Sequence, residues 1–88
     1  MVTITENAIS RLQRRLKRQP DGTAVRMTVK DGRVKFRRDT EQEGDVVFTH
    51  DGRSVLFMAA DTARRVSKRT LDVVTTEAGK RLRFVPSA

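Results

Sequence analysis

Apolar residues along this chain switch between strand spacing and helix spacing, and the switches outline the fold. The densest stretch, EGDVVFTHDGRSVLFM over residues 43–58, holds two apolar runs, Val46-Val47-Phe48 and Val55-Leu56-Phe57-Met58, on either side of Asp51-Gly52. Asp-Gly suits a type I′ hairpin turn, in which both central residues need positive φ. A two-residue turn places His50 opposite Arg53, Phe48 opposite Val55 and Val46 opposite Phe57, and Val47 then shares the other face with Leu56 and Met58. Both faces carry apolar groups, which predicts a hairpin inside the domain with something packed on each side.

The flanking segments follow simpler rhythms. Val2-Thr3-Ile4 reads as a short strand, Thr5 as a helix cap and Glu6 as a first-turn carboxylate facing the helix dipole. Ala8, Ile9, Leu12 and Leu16 recur every three or four residues, predicting a helix over 6–17 with Arg11, Arg14, Arg15 and Arg18 off the apolar stripe. Pro20-Asp21-Gly22 stops it. Residues 24–30 alternate, with Val25, Met27 and Val29 on one side and Arg26, Thr28 and Lys30 on the other. Asp31-Gly32 is a second hairpin turn, and Val34 and Phe36 continue the apolar side beyond it. That pairing sets Lys30 against Arg33, Thr28 against Lys35 and Arg26 against Arg37. Like charges directly across a strand pair are unfavourable, so water and salt, an acidic side chain such as Asp39 or Glu41, or an anionic partner must offset them.

Residues 39–45 (DTEQEGD) read as an acidic loop, 59–68 as a short helix with Ala60 or Asp61 near its start, and 71–74 as a strand. Glu77-Ala78-Gly79 reads as a loop, 81–85 as a last strand and Pro86 as its end. The order is β-α-ββ-ββ-α-ββ over a single domain, residues 1–88. Its expected class is α+β, with helices packed on mostly antiparallel, strongly curved sheets.

Composition narrows the chemistry. Hydrophobic residues make up 36 % of the 88, with four Phe as the only aromatics, so the core is thin and aliphatic. No apolar run is long enough to span a membrane, and the N-terminus lacks the pattern of a secretory signal. A soluble cytoplasmic protein is expected. Cysteine is absent, which removes disulfides, thiolate metal sites and cysteine nucleophiles. The net charge is +8 and spread along the chain: eleven Lys/Arg against six Asp/Glu in residues 1–44, eight against five in residues 45–88. The excess belongs to the folded surface and favours anionic partners.

With the element order in hand, the chain resembles the A-type iron–sulfur carrier (HesB/IscA-like) domain. VTITENAISRLQRRL is similar to that family's opening strand and helix, and AVRMTVK to the strand after it. EGDVVFTHDGRSVLF resembles its acidic-turn-and-valine phrase, LDVV its Leu/Ile-Asp-aromatic-Val strand, and Gly79 through RLRFVPSA its closing segment. The resemblance implies the fold, and a tendency to form homodimers. It also locates what is missing. The family's first cluster ligand is a cysteine in a glycine-rich loop between the second and third strands, where this chain has only Lys30-Asp31-Gly32-Arg33. The other two belong to a Cys-Gly-Cys tail beyond the last strand, a motif not reached by Ala88. No ligand carries over, and no cofactor is expected.

Among candidate sites, His50 beside Asp51 has no second His or Cys to join it as a metal ligand and reads as an exposed turn residue. Asp61, Asp72 and Glu77 match no acid–base motif, and caps or surface positions account for them. No phosphate loop, catalytic triad or metal spacing is present, so no catalytic or metal residues are assigned and an enzyme is not expected. The feature that stands out is a basic strand face, Arg26, Lys30, Arg33, Lys35 and Arg37, joined by Arg38, as a contact surface for an anion or nucleic acid. It lacks interleaved aromatics for base stacking. Two functions follow: an accessory or protein-interaction module on a carrier-like domain, or a nonspecific nucleic-acid-binding domain.

Overall fold

The computed structural model describes residues 2–85. Pro86, expected to end the last strand, lies outside them. The chain runs β1 (Thr3–Ile4), α1 (Glu6–Arg15), β2 (Thr23–Lys30), β3 (Arg33–Thr40), β4 (Asp45–His50), β5 (Arg53–Ala59), α2 (Ala60–Arg65), β6 (Thr70–Thr76) and β7 (Gly79–Val85). The strands form a sheet of order β1-β6-β7 and another of order β3-β2-β5-β4. All three hairpins are antiparallel, and β1–β6 and β2–β5 are parallel. The architecture is the α+β arrangement expected from the sequence.

Local chemistry sets the elements. The side chain of Thr5 caps α1 by accepting the Ala8 N–H at 3.1 Å, and its hydroxyl donates to Asp72 Oδ1 at 2.6 Å. Asp72 also accepts the Val73 N–H at 2.8 Å, so one carboxylate ties the helix start to β6. These two donors hold it below its usual carboxylate range. Helix α1 stops at Arg15, ahead of the proline: Arg18 takes a left-handed φ of 70° and turns the chain first. Arg53 closes the same end by donating to the carbonyls of Leu16 and Gln19, where a cation complements the helix dipole. Ala8, Leu12 and Leu16 are buried, each leucine contributing about 2 kcal/mol of apolar burial. In both Asp-Gly turns the two residues have positive φ, as a type I′ turn requires.

The central hairpin departs from the register expected of it. His50 pairs with Arg53 and Thr49 with Ser54, but a bulge then shifts the ladder, so that Phe48 pairs with Leu56, Val47 with Phe57 and Val46 with Met58. The extra residue is Val55 on β5. One residue of slip exchanges faces: Val46 and Phe48 now share the face of Leu56 and Met58, and Val47 joins Phe57. All four residues of the β5 run are nonetheless buried, so the hairpin is packed on both sides as expected.

The expected acidic loop over 39–45 is shorter, because Asp39 ends up inside β3 and Asp45 opens β4. Only residues 41–44 connect the two strands, yet β3 and β4 are opposite edges of their sheet. Crossing three strand spacings takes roughly 14 Å, close to the roughly 17 Å reach of so short a segment. The segment is not stretched, however, but turned, with the Asp45 N–H donating to the Gln42 carbonyl at 3.1 Å, so the sheet curls and brings both edges to Arg26. Its Nε donates to Asp39 Oδ2 at 2.6 Å, Nη1 to Asp45 Oδ1 at 2.9 Å, and Nη2 to Asp45 Oδ2 at 2.6 Å and the Thr40 carbonyl at 3.2 Å. Four of the five guanidinium N–H groups are thus used. Its Cζ lies 5.6 Å from the centre of the Phe57 ring. Arg26 is 5 % exposed, and the Asp45 side chain 4 %. The Gln42 N–H adds a 2.7 Å bond to Asp45. The Arg26 hydrogen bonds, followed by that of Gln42, overcome desolvation and hold Asp45 down at about 2, and Arg26 is raised in return.

Replacing Arg26 by Met strands a buried carboxylate and is expected to cost about 3 kcal/mol, the low end for a broken buried pair since Asp39 is partly wet. Urea unfolding measures it. The carboxylate pKa is lower in the folded chain, so this stabilisation is complete above the unfolded value of 3.8 and fades as pH falls toward about 2. The gap between the parent and Arg26→Met should therefore stay constant from pH 7 to 5 and close below pH 4; a gap unchanged at pH 2 contradicts the ion pair.

Candidate functional site

The β2–β3 hairpin keeps the expected register, with Lys30 opposite Arg33, Thr28 opposite Lys35 and Arg26 opposite Arg37. These residues alternate onto one face, but they do not make one surface. Arg26 is a correction to the sequence reading: buried and saturated by Asp39 and Asp45, it cannot meet an anion from solvent. Arg38 is the second correction. It is exposed but pairs with Val25 on the opposite face, and lines a small cavity of about 220 Å3 with Arg15, Phe36 and the neighbouring Arg37. What remains is an exposed row of Lys30, Arg33, Lys35 and Arg37. Among the described residues, only Arg37 of that row approaches a carboxylate, Asp39 at 3.6 Å.

A second basic group is assembled from distant parts of the sequence. On α1, Arg15 stands over the Phe36 ring at 5.8 Å from its centre. Its pKa is lowered, first by partial desolvation and then by repulsion from Arg11, Arg38 and Arg81. Arg11 reaches β7 and donates to the Lys80 carbonyl at 3.4 Å. The sequence pattern marked Arg11, Arg14 and Arg15 but not their union with Arg38, Lys80 and Arg81. The local signal for it is that neither residues 11–18 nor 80–83 contain a carboxylate.

The places where chemistry was considered lie apart. His50 lies 3.4 Å from Asp51, with its side chain 41 % exposed. Asp61 is exposed in the first turn of α2, Glu77 is exposed in the β6–β7 turn, and Asp72 is engaged by Thr5. Among the described residues no three His, Asp or Glu side chains gather as metal ligands. An apolar groove of about 370 Å3 does form beside edge strand β4, lined by Val2, Val46, Phe48, Ala60 and Ala63, with Arg64 at its rim.

The tip of the β2–β3 hairpin is where the resemblance noted in the sequence implies a first thiolate. Here it is an exposed Asp31-Gly32 turn between Lys30 and Arg33. One isolated carboxylate between two cations does not fit an iron–sulfur cluster, which needs several converging soft ligands.

No protein-family model matches the chain, and no curated protein does. Solved structures do. Escherichia coli SufA, involved in biosynthesis of iron–sulfur clusters, superposes with a TM-score of 0.71 at 25 % identity, over 96 % of this chain and 83 % of that one. IscA with the 2Fe-2S cluster superposes with a TM-score of 0.61 at 20 % identity, over 97 % and 81 %. The chain therefore has the fold of the A-type iron–sulfur carriers, built without a single cysteine.

Proposed function

We propose that this chain is a non-enzymatic, cluster-free relative of the A-type carriers that works in the cytoplasm as a protein-interaction module. The observation that carries the reading is a carrier fold, matched over 83 % of the SufA chain, in which Lys30-Asp31-Gly32-Arg33 stands where the resemblance implies a ligand. What such a fold still offers is surface, and the apolar groove beside β4 is the part suited to protein. An acidic partner fits it best: the chain carries +8 and the groove is rimmed by Arg64. The same charge makes a second copy the weaker occupant of that groove, although carriers of this fold are expected to self-associate.

Two experiments test the reading. Anaerobic reconstitution of the purified protein with iron and sulfide, followed by desalting, should leave no stoichiometric iron; a retained cluster would sink the cluster-free assignment. A tagged pull-down from nuclease-treated lysate should recover an acidic protein whose capture is lost with the charge reversal Arg64→Glu. Capture that survives Arg64→Glu, or recovery of nothing, removes the groove as the interaction site.

The exposed row Lys30, Arg33, Lys35 and Arg37 supports a second reading, nonspecific binding of nucleic acid through its phosphates. Replacing Lys30, Lys35 and Arg37 with Gln should then weaken binding uniformly across sequences. It should also flatten the dependence of log K on log salt by about 0.9 for each phosphate that is no longer neutralised. An unchanged slope in that variant excludes the row.

A further inference from the structure

Helix α1 and the β6–β7 hairpin enclose an open groove of about 540 Å3, lined by Ser10, Arg11, Arg14, Thr75 and Lys80 over Val73. That volume lies within the range of small-ligand sites. Three cations, two hydroxyls and the Asn7 amide line it, with Val73 the one apolar residue among them. Among the described residues, no carboxylate lies within ion-pair distance of Arg11, Arg14 or Lys80. Arg15, on the same helix but outside the groove, is repelled by Arg11 and by Arg38 and Arg81 from β3 and β7. Such a concentration of like charge disfavours the folded state unless counter-charge is supplied.

Arg11 gives the groove a specific demand. Its Nη2 is directed to the Lys80 carbonyl, while its Nε is buried and has no acceptor. A buried guanidinium N–H without a partner is an exception that calls for a cause. Arg11 is only half-buried and lines the groove, so its remaining guanidinium N–H groups can donate to an oxygen from outside the chain, and the hydroxyls of Ser10 and Thr75 can donate to further oxygens of the same group. Guanidinium forks and hydroxyls together suit phosphate more than carboxylate, because phosphate presents more oxygens at higher charge. The site is concave and short, unlike the exposed linear row on β2–β3, so it suits a compact anion more than a polymer.

We propose that the groove between α1 and the β6–β7 hairpin binds a compact phosphate-bearing ligand, a phosphomonoester or diphosphate group, held by Arg11, Arg14 and Lys80. Titration of the full chain with pyrophosphate, followed by amide resonances, tests this. Saturable shifts should centre on Ser10, Arg11, Arg14, Thr75 and Lys80. Affinity should fall about tenfold or more in Arg14→Gln/Lys80→Gln, the loss of at least one charge-assisted hydrogen bond. The remaining resonances of that variant report that it is folded. Arg11→Lys keeps the charge and removes the guanidinium fork, so a several-fold loss there separates a built site from general attraction. Inorganic phosphate and sulfate form the comparison arms: weaker binding of inorganic phosphate than of pyrophosphate supports a ligand in which phosphate is part of a larger group. The proposal is overturned if shifts are absent, if they extend equally to residues 30–37, or if both variants bind as the parent does. It is also overturned if a short oligonucleotide binds through the same residues more tightly per phosphate than pyrophosphate.

Discussion

The buried guanidinium of Arg26 is the constraint on which the four-stranded sheet depends. Burying a charge is costly unless it is paired and hydrogen-bonded, and here the partners can be supplied only from both edges at once. Asp39 comes from the end of β3 and Asp45 from the start of β4, while Arg26 sits on β2 and rests against Phe57 of β5. All four strands therefore meet at one side chain. The short connection over residues 41–44 and the curl of the sheet are two aspects of that meeting. A flatter sheet would hold the carboxylates too far apart to satisfy the charge.

Much of this was legible in the sequence, and the limits have physical causes. Alternation and the two Asp-Gly turns specify the hairpins, and strict pairing from the first turn puts Arg26 opposite Arg37. That clash called for a compensating acid, and Asp39, on the same strand face as Arg37 and two residues beyond it, could be named. Asp45 could not, because its approach requires β2 and β5 to be parallel neighbours, a non-local fact. The bulge at Phe48/Thr49 was hidden for a different reason. Val46-Val47-Phe48 facing Val55-Leu56-Phe57-Met58 is apolar in either register, so the pattern does not penalise a slip. The candidate site divides in the same way. Its strand row follows from period two, except that burial withdraws Arg26 and parity withdraws Arg38. The union of α1 with Arg38, Lys80 and Arg81 needs the tertiary fold.

The fold is that of the carriers, and no cysteine accompanies it. The scaffold superposes on carriers over nearly its whole length, while the turn that would present a thiolate is a two-residue reversal between cations. A tight type I′ turn is a good hairpin nucleus and a poor ligand platform: it fixes strand register, and it leaves no loop that could fold over a cluster. Charge has accumulated on one face of the same hairpin, where Arg37 alone approaches a carboxylate, and in the groove under α1.

The order β3-β2-β5-β4 leaves this sheet with two unlike edges. Strand β3 carries Arg33, Lys35, Arg37 and Arg38 along its length, and a row of cations on an edge repels any incoming strand of similar charge and blunts templating. Strand β4 has a carboxylate at its start, already engaged by Arg26, followed by Val46, Val47 and Phe48 without a charge. The bulge in its ladder adds its extra residue to β5 and leaves the outer edge of β4 unaltered. The sheet is therefore closed to extension on one side and open on the other, so the same arginines and lysine that give the protein its basic face also decide from which direction a further strand could be added.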